Sequence, residues 1–177
     1  MENSNTFHQM RAVTRHIEGV PKEWQSTNDW DSHRELLWLA TEKANGGWIE
    51  FGGGYGSTFL LKDKLGDWFT SFDNNVEWCK KTGARFVKDY LAIRINGCKD
   101  NLKCLFIDCA PGEIRKELIE KWKDTPIIIL HDTEPGADYV YGMSEILSTF
   151  KYRLDYQPEG KPHTTAVSNT VNVCTWI

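Results

Sequence analysis

The sequence predicts an α/β fold built on a doubly wound, mostly parallel sheet, and three observations predict it. Short apolar segments alternate with helix-patterned ones from Trp48 onward, the signature of strand–helix–strand units. Two of those segments, Cys104–Ile107 and Ile127–Leu130, are continuous apolar runs of the kind buried on both faces in a parallel sheet. A glycine cluster, Gly52-Gly53-Gly54-Tyr55-Gly56, separates a strand-like segment from a helix-like one, where open α/β sheets bind ligands. The chain then ends in alternating apolar and polar residues, which implies a C-terminal antiparallel hairpin at the sheet edge.

The elements follow in order. Residues 1–30 are polar, broken by Pro21, and read as an irregular arm or short helix preceding a domain over 31–177. Ser32 opens a capping box with Glu35, and Leu36, Leu37, Leu39 and Ala40 supply an apolar helix face that stops at Asn45-Gly46-Gly47. Trp48–Phe51 is a strand, Ser57–Leu65 a helix, and Trp68–Phe72 a second strand. Asn74–Thr82 is a helix closed by Gly83, and Arg85-Phe86-Val87 a weaker strand. After the Cys104–Ile107 strand, Ile114, Leu118, Ile119 and Trp122 share a helical stripe. After Ile127–Leu130, one helix carries Val140, Met143, Leu147 and Phe150. Tyr152, Leu154 and Tyr156 make one arm of the hairpin and Val171, Val173 and Thr175 the other, because Pro158, Gly160 and Pro162 break the stretch between them.

Composition narrows the function. With 21 Lys plus Arg against 25 Asp plus Glu, a net charge of -4 and no basic stripe, a nucleic-acid partner is not expected. No apolar run approaches the ~20 residues of a membrane span, and the polar start Met1–Asn5 does not read as a secretory leader. Cys79, Cys98, Cys104, Cys109 and Cys174 include no Cys-x-x-Cys pair, so a disulfide or zinc framework is not expected and a cytoplasmic, reducing setting fits.

The glycine loop separates two cofactor classes. A dinucleotide fingerprint counted from Gly52 and Gly54 requires Gly or Ala where Ser57 stands, so a NAD(P)-dependent oxidoreductase is the weaker reading. The spacing that fits is Glu50-x-Gly52-x-Gly54-x-Gly56, an acid at a strand end followed by alternating glycines. On these residues the chain, over roughly positions 31–177, resembles the class I S-adenosylmethionine-dependent methyltransferases and their Rossmann-like fold. The resemblance implies S-adenosylmethionine as cofactor, held by Glu50, Gly52, Gly54, Tyr55, Gly56 and Ser57. It places Asp73 and Asn74, after the second strand, at the ribose, Asp89 and Tyr90 at the adenine, and Asp108 at the methionine end.

Asp108 in Ile107-Asp108-Cys109-Ala110-Pro111 and the pair His131-Asp132 in Leu130-His131-Asp132-Thr133-Glu134 put ionisable groups directly after two buried strands. Such groups are costly to place there unless they are used. His131 titrates near working pH and reads either as a general base or as a hydrogen-bonded structural histidine. Asp108, His131 and Asp132 are therefore the candidate catalytic residues. Resemblance to catechol-type O-methyltransferases implies a second option, in which Asp108 and Asp132 hold Mg2+ or Mn2+, although Thr133 stands where those enzymes carry Asn. The same stretches also resemble sugar-modifying methyltransferases, which implies a sugar or glycan hydroxyl, or another small-molecule hydroxyl, as acceptor. Trp24, Trp30, Tyr139 and Tyr141 are candidate stacking faces for a sugar ring. The near-minimal length suits an open site, or a domain of a longer glycan-modifying protein. A degenerate fold serving only as a binding partner is the non-catalytic alternative.

Overall fold

The computed structural model describes residues 9–94 and 101–177. Its strands are β1 (Gln9–Val13), β2 (Gly47–Phe51), β3 (Phe69–Asp73), β4 (Arg85–Phe86), β5 (Leu102–Ile107), β6 (Ile127–His131), β7 (Tyr152–Tyr156) and β8 (Thr164–Ser168). They form one sheet in the order β1-β7-β8-β6-β5-β2-β3-β4. Among the described strands only β8 runs against its neighbours, pairing antiparallel with both β6 and β7. Helices α1 (Arg34–Lys43), α2 (Thr58–Leu65), α3 (Val76–Thr82) and α4 (Arg115–Trp122) connect the strands, followed by the single turns α5 (Asp138–Tyr141) and α6 (Ser144–Leu147). This is the doubly wound, mostly parallel α/β architecture the alternating pattern predicts.

Successive strand residues point to opposite faces, so each apolar run feeds two cores. Cys104, Phe106, Ile127 and Ile129 pack on one face with Leu36, Leu37 and Ala40 of α1 and Leu61 of α2. Leu105, Ile107, Ile128 and Leu130 pack on the other with Leu118, Ile119 and Trp122 of α4 and Ile146 and Leu147 of α6. Cys79, Cys104, Cys109 and Cys174 are all free thiols, and Cys98 lies outside the described residues. Among the described residues no helix is long and apolar enough to cross a membrane.

Four expectations are corrected. The arm is not irregular throughout, because Gln9–Val13 adds to β7 as a parallel strand and becomes the sheet edge. The returning strand of the hairpin is Thr164–Ser168, inserted inside the sheet, while Val173–Thr175 is a 3-10 turn. All five β8 residues are buried, which small residues between two strands tolerate. The expected helix through Val140 and Phe150 is broken into α5 and α6 by Gly142, whose φ of 58° ends the first turn in the left-handed region. Finally, Ser32 and Glu35 form no capping box. The Glu35 carboxylate instead accepts the Ile17 N–H at 2.8 Å and the Tyr156 hydroxyl at 2.6 Å, tying arm, α1 and β7 together.

β2 leads to β3 on one side of the sheet, whereas β5 leads to β6 on the other. Their carboxyl ends therefore flank the switch point, the crevice at which open α/β sheets bind ligands.

Candidate active site

At the end of β2 the chain turns through Gly52, which has a φ of 95°. A Cβ there would collide with the backbone of Asp108 and Cys109, so only glycine lets the two strand ends approach so closely. Glu50 is fully buried beneath the loop, accepting hydrogen bonds from the hydroxyls of Ser57 and Thr58, the latter at 2.6 Å. Burial outweighs those bonds and pushes its carboxyl up to about 7. Thr58 Oγ1 in turn accepts the Gly54 N–H at 2.8 Å, and Arg34 Nε donates to the Gly56 carbonyl at 2.8 Å. The loop is thus braced from below by Glu50 and from the side by α1.

Beside the loop lies a cavity of about 870 Å³, whose wall includes Gly52 to Ser57, His33, Asp108, Arg115, His131 and Asp132. Arg115 is the hub. Its buried guanidinium donates to the carbonyls of Cys109 at 2.9 Å and His131 at 3.0 Å, and to Asp108 at 3.1 Å and Asp132 at 3.3 Å. Its outer face lies 4.5 Å from the Tyr141 ring centroid. His131 places Nδ1 3.4 Å from carboxylate oxygens of both Asp108 and Asp132, and Nε2 2.8 Å from the Ser32 hydroxyl. Burial opposes charging His131, but Asp108 and Asp132 outweigh it and hold the imidazole above its ordinary value. Burial likewise opposes ionising Asp108, yet His131 and Arg115 bring its carboxyl down to about 2. Asp132 goes the other way, raised chiefly by burial, and sits at a left-handed φ of 54° that re-aims the chain after β6.

The structure therefore brings Gly52, Gly54, Tyr55, Gly56, Ser57, Asp108, His131 and Asp132 to one cavity. It does not bring Asp73, Asn74, Asp89 or Tyr90 to that wall. Asp73 is buried and holds the N–H groups of Gly53 at 3.1 Å and Asn75 at 2.7 Å. The Asn74 amide donates to the Ala110 carbonyl at 2.8 Å, and the Tyr90 hydroxyl accepts the Asn74 N–H at 3.1 Å from within the core. Asp89 caps the 3-10 turn Tyr90–Ala92 through Leu91 N–H at 2.8 Å. The ring that does reach the wall in this region is Trp78, which donates its indole N–H to the Gly53 carbonyl and packs edge-on against Tyr55. Of the four candidate stacking rings, Trp24 is core, Tyr139 points out almost fully exposed, and Trp30 and Tyr141 line the cavity.

The Asp108 and Asp132 carboxylates do not fit a shared divalent ion, because the Arg115 guanidinium already bridges them. Two residues central to the cavity, His33 and Arg115, were not singled out from the sequence. The signal was available. His33 precedes Leu36, Leu37 and Ala40 by three, four and seven residues, and Arg115 stands in the same relation to Leu118, Ile119 and Trp122. A polar residue on the apolar stripe of a helix is one that is buried for a reason.

No family model and no curated protein matches the sequence. Solved structures do match. The O-methyltransferase TomG from Streptomyces achromogenes, solved with SAM and involved in tomaymycin synthesis, superposes with a TM-score of 0.54 at 16% identity, over 81% of this chain and 88% of its own. The two share a fold. An uncharacterised protein from Listeria monocytogenes (TM-score 0.46, 14% identity, 80% of this chain and 70% of its own) lies further off. So does the tRNA methyltransferase TrmK of B. subtilis (0.49, 12%, 84% and 68%).

Proposed function

We propose that this protein transfers a methyl group from S-adenosylmethionine to a hydroxyl of a sugar, glycan end or other small molecule. The observation that carries the reading is the meeting, at one cavity, of the braced glycine loop after β2 with the Asp108–His131 pair after β5 and β6. The architecture shared with a SAM-bound O-methyltransferase supports it. The loop fits the cofactor: a Cβ on Gly54 would meet nothing nearer than Ser57 Oγ at 3.7 Å, so the loop leaves open backbone beside the cavity. S-adenosylmethionine supplies an electrophilic sulfonium methyl, and the protein's task is to align an acceptor oxygen and remove its proton.

The residues divide that task. Trp78 and Tyr55 offer aromatic faces beside the loop, and Trp30 and Tyr141 line the cavity that would receive the acceptor. Asp108 is ionised at any working pH and, with His131, forms the pair that takes up the acceptor proton. Because its carboxylate neighbours raise the His131 imidazole above 6.5, the pair is in its basic form only on the alkaline side of that value. Turnover should accordingly climb as pH rises past neutrality. Arg115 holds Asp108 and Asp132 in place and is a positioning residue.

Calorimetry with S-adenosylhomocysteine tests the cofactor, and no binding at millimolar ligand would sink the reading. With a panel of glycoside and phenol acceptors, Asp108→Asn and His131→Ala should each lower kcat about 100-fold with an unchanged far-ultraviolet spectrum. Unchanged rates would remove the pair from the mechanism.

A further inference from the structure

His33 is almost completely buried, yet neither of its ring nitrogens has a hydrogen-bond partner among the described residues. Buried imidazole nitrogens are nearly always paired, since a polar group stripped of water and left without a partner is destabilising. The ring is not simply packing material. It stands edge-on to His131 with centroids 4.7 Å apart, and a nitrogen of His33, a nitrogen of His131 and a carboxylate oxygen of Asp108 all lie within 4.8 Å of one another.

We propose that His33, His131 and Asp108 form a binding site for one divalent first-row transition ion of the Zn2+, Co2+ or Fe2+ type. Two imidazoles and one carboxylate are a donor set these ions prefer, whereas Mg2+ and Ca2+ take oxygen ligands. The site differs from the Asp108–Asp132 pair, which Arg115 closes. It draws its third ligand from the start of α1, a segment the glycine-loop chemistry does not involve. Surrounding bonds already orient the ligands. Ser32 holds Nε2 of His131 and leaves Nδ1 facing Asp108, and Arg115 steadies the Asp108 carboxylate, as outer partners do in metal centres. Neither ring nitrogen of His33 is engaged elsewhere among the described residues, so the unprotonated one of a neutral imidazole has its lone pair free for a cation. Asp108 and Asp132 against one Arg115 leave a net negative charge around the ion. All three ligands line the cavity, so water or a hydroxyl oxygen can complete the coordination shell.

The test uses tag-free, chelator-treated protein titrated with Co2+ and followed by visible absorption. One equivalent should bind, develop d–d bands, raise the melting temperature and be displaced by Zn2+ but not by Mg2+. His33→Phe keeps a ring against Phe106 and His131 and removes both nitrogens, so it should weaken Co2+ binding at least about 100-fold. X-ray absorption of the zinc-loaded natural protein should count two imidazoles, a readout that stands even where the variant fails to fold. No binding at millimolar Co2+, unchanged affinity in His33→Phe, or fewer than two imidazoles on zinc would each overturn the proposal. Titration with S-adenosylhomocysteine in chelator reports on cofactor binding separately, so either can fail alone. Where the ion binds, His131 is its ligand, and an acceptor hydroxyl would lose its proton on the ion rather than to the imidazole.

Discussion

At Arg115 one guanidinium meets two carbonyls and two carboxylates inside a cavity wall. Arg115→Met keeps the apolar stem and removes every donor, leaving Asp108 and Asp132 without their guanidinium and with only the more distant His131 imidazole between them. Removing one partner from a buried ion network costs about 3–5 kcal/mol, so urea unfolding at pH 7 should show a loss of roughly 3 kcal/mol. A loss below about 1 kcal/mol would mean the network is solvated. Asp108 adds an acid signature. Its folded value of about 2 lies below the ordinary 3.8, so the stability it contributes is present above 3.8 and is lost as pH falls toward 2. Asp108→Asn should flatten that part of the acid limb, and an unchanged limb would assign it to other carboxylates such as Asp31. Asp108, His131 and Asp132 were legible in the sequence because charge directly after a buried strand is conspicuous. Arg115 and His33 were not read, because each is found only by noticing a polar residue on a stripe otherwise counted for its apolar members.

Among the elements, the β2–α2 turn was the most legible, since its glycines at alternating positions have no role in a helix or strand interior. The sequence could not show that Glu50 points beneath the loop rather than toward a ligand, for side-chain direction at a strand end depends on what lies under it. The bonds from Ser57 and Thr58 make Glu50 a brace, and its burial gives a pH test. In the unfolded chain Glu50 ionises near 4.5, but in the fold only near 7. Between those values the folded form binds more protons, so stability must fall as pH rises, by on the order of 3 kcal/mol in total, and level off above 7. Glu50→Gln cannot ionise. Its stability should be flatter from pH 5 to 8 than that of the natural protein, and parallel curves in urea unfolding would place the titration elsewhere. β8 shows the opposite case. Thr164-Thr165-Ala166-Val167-Ser168 is too small and polar to announce a central strand, while Val171, Val173 and Thr175 imitate one by alternation alone.

Across the whole molecule, the parallel core from β2 to β6 follows from local pattern, whereas the closure of the sheet depends on contacts far apart in sequence. β1 lies 139 or more residues before the β7 strand it joins, as in the pairing of Gln9 with Tyr152, and no local pattern reports such a pairing. Glu35 shows how that closure is held. From the first turn of α1 its buried carboxylate accepts His16 Nδ1 at 2.5 Å, the Ile17 N–H and the Tyr156 hydroxyl, joining arm, helix and β7 at one point. Burial would raise this carboxyl, but the Tyr156 and Ile17 donors outweigh it and hold it low, so the knot is intact at neutral pH and loosens as the solution is acidified. The same arm continues into the segment that presents Trp30 and His33 to the cavity. Glu35→Ala leaves a buried hydroxyl and a buried N–H without an acceptor, a loss of about 3 kcal/mol in urea unfolding by the cost of each orphaned group and the void left behind. The loss should also be localised. Hydrogen exchange should speed at the β1 amides that pair with β7 and remain slow in β5, which is flanked by β2 and β6. Exchange that quickens equally in β1 and β5 would show instead that the arm and the parallel core unfold as one cooperative unit, and that Glu35 braces the whole sheet rather than its edge.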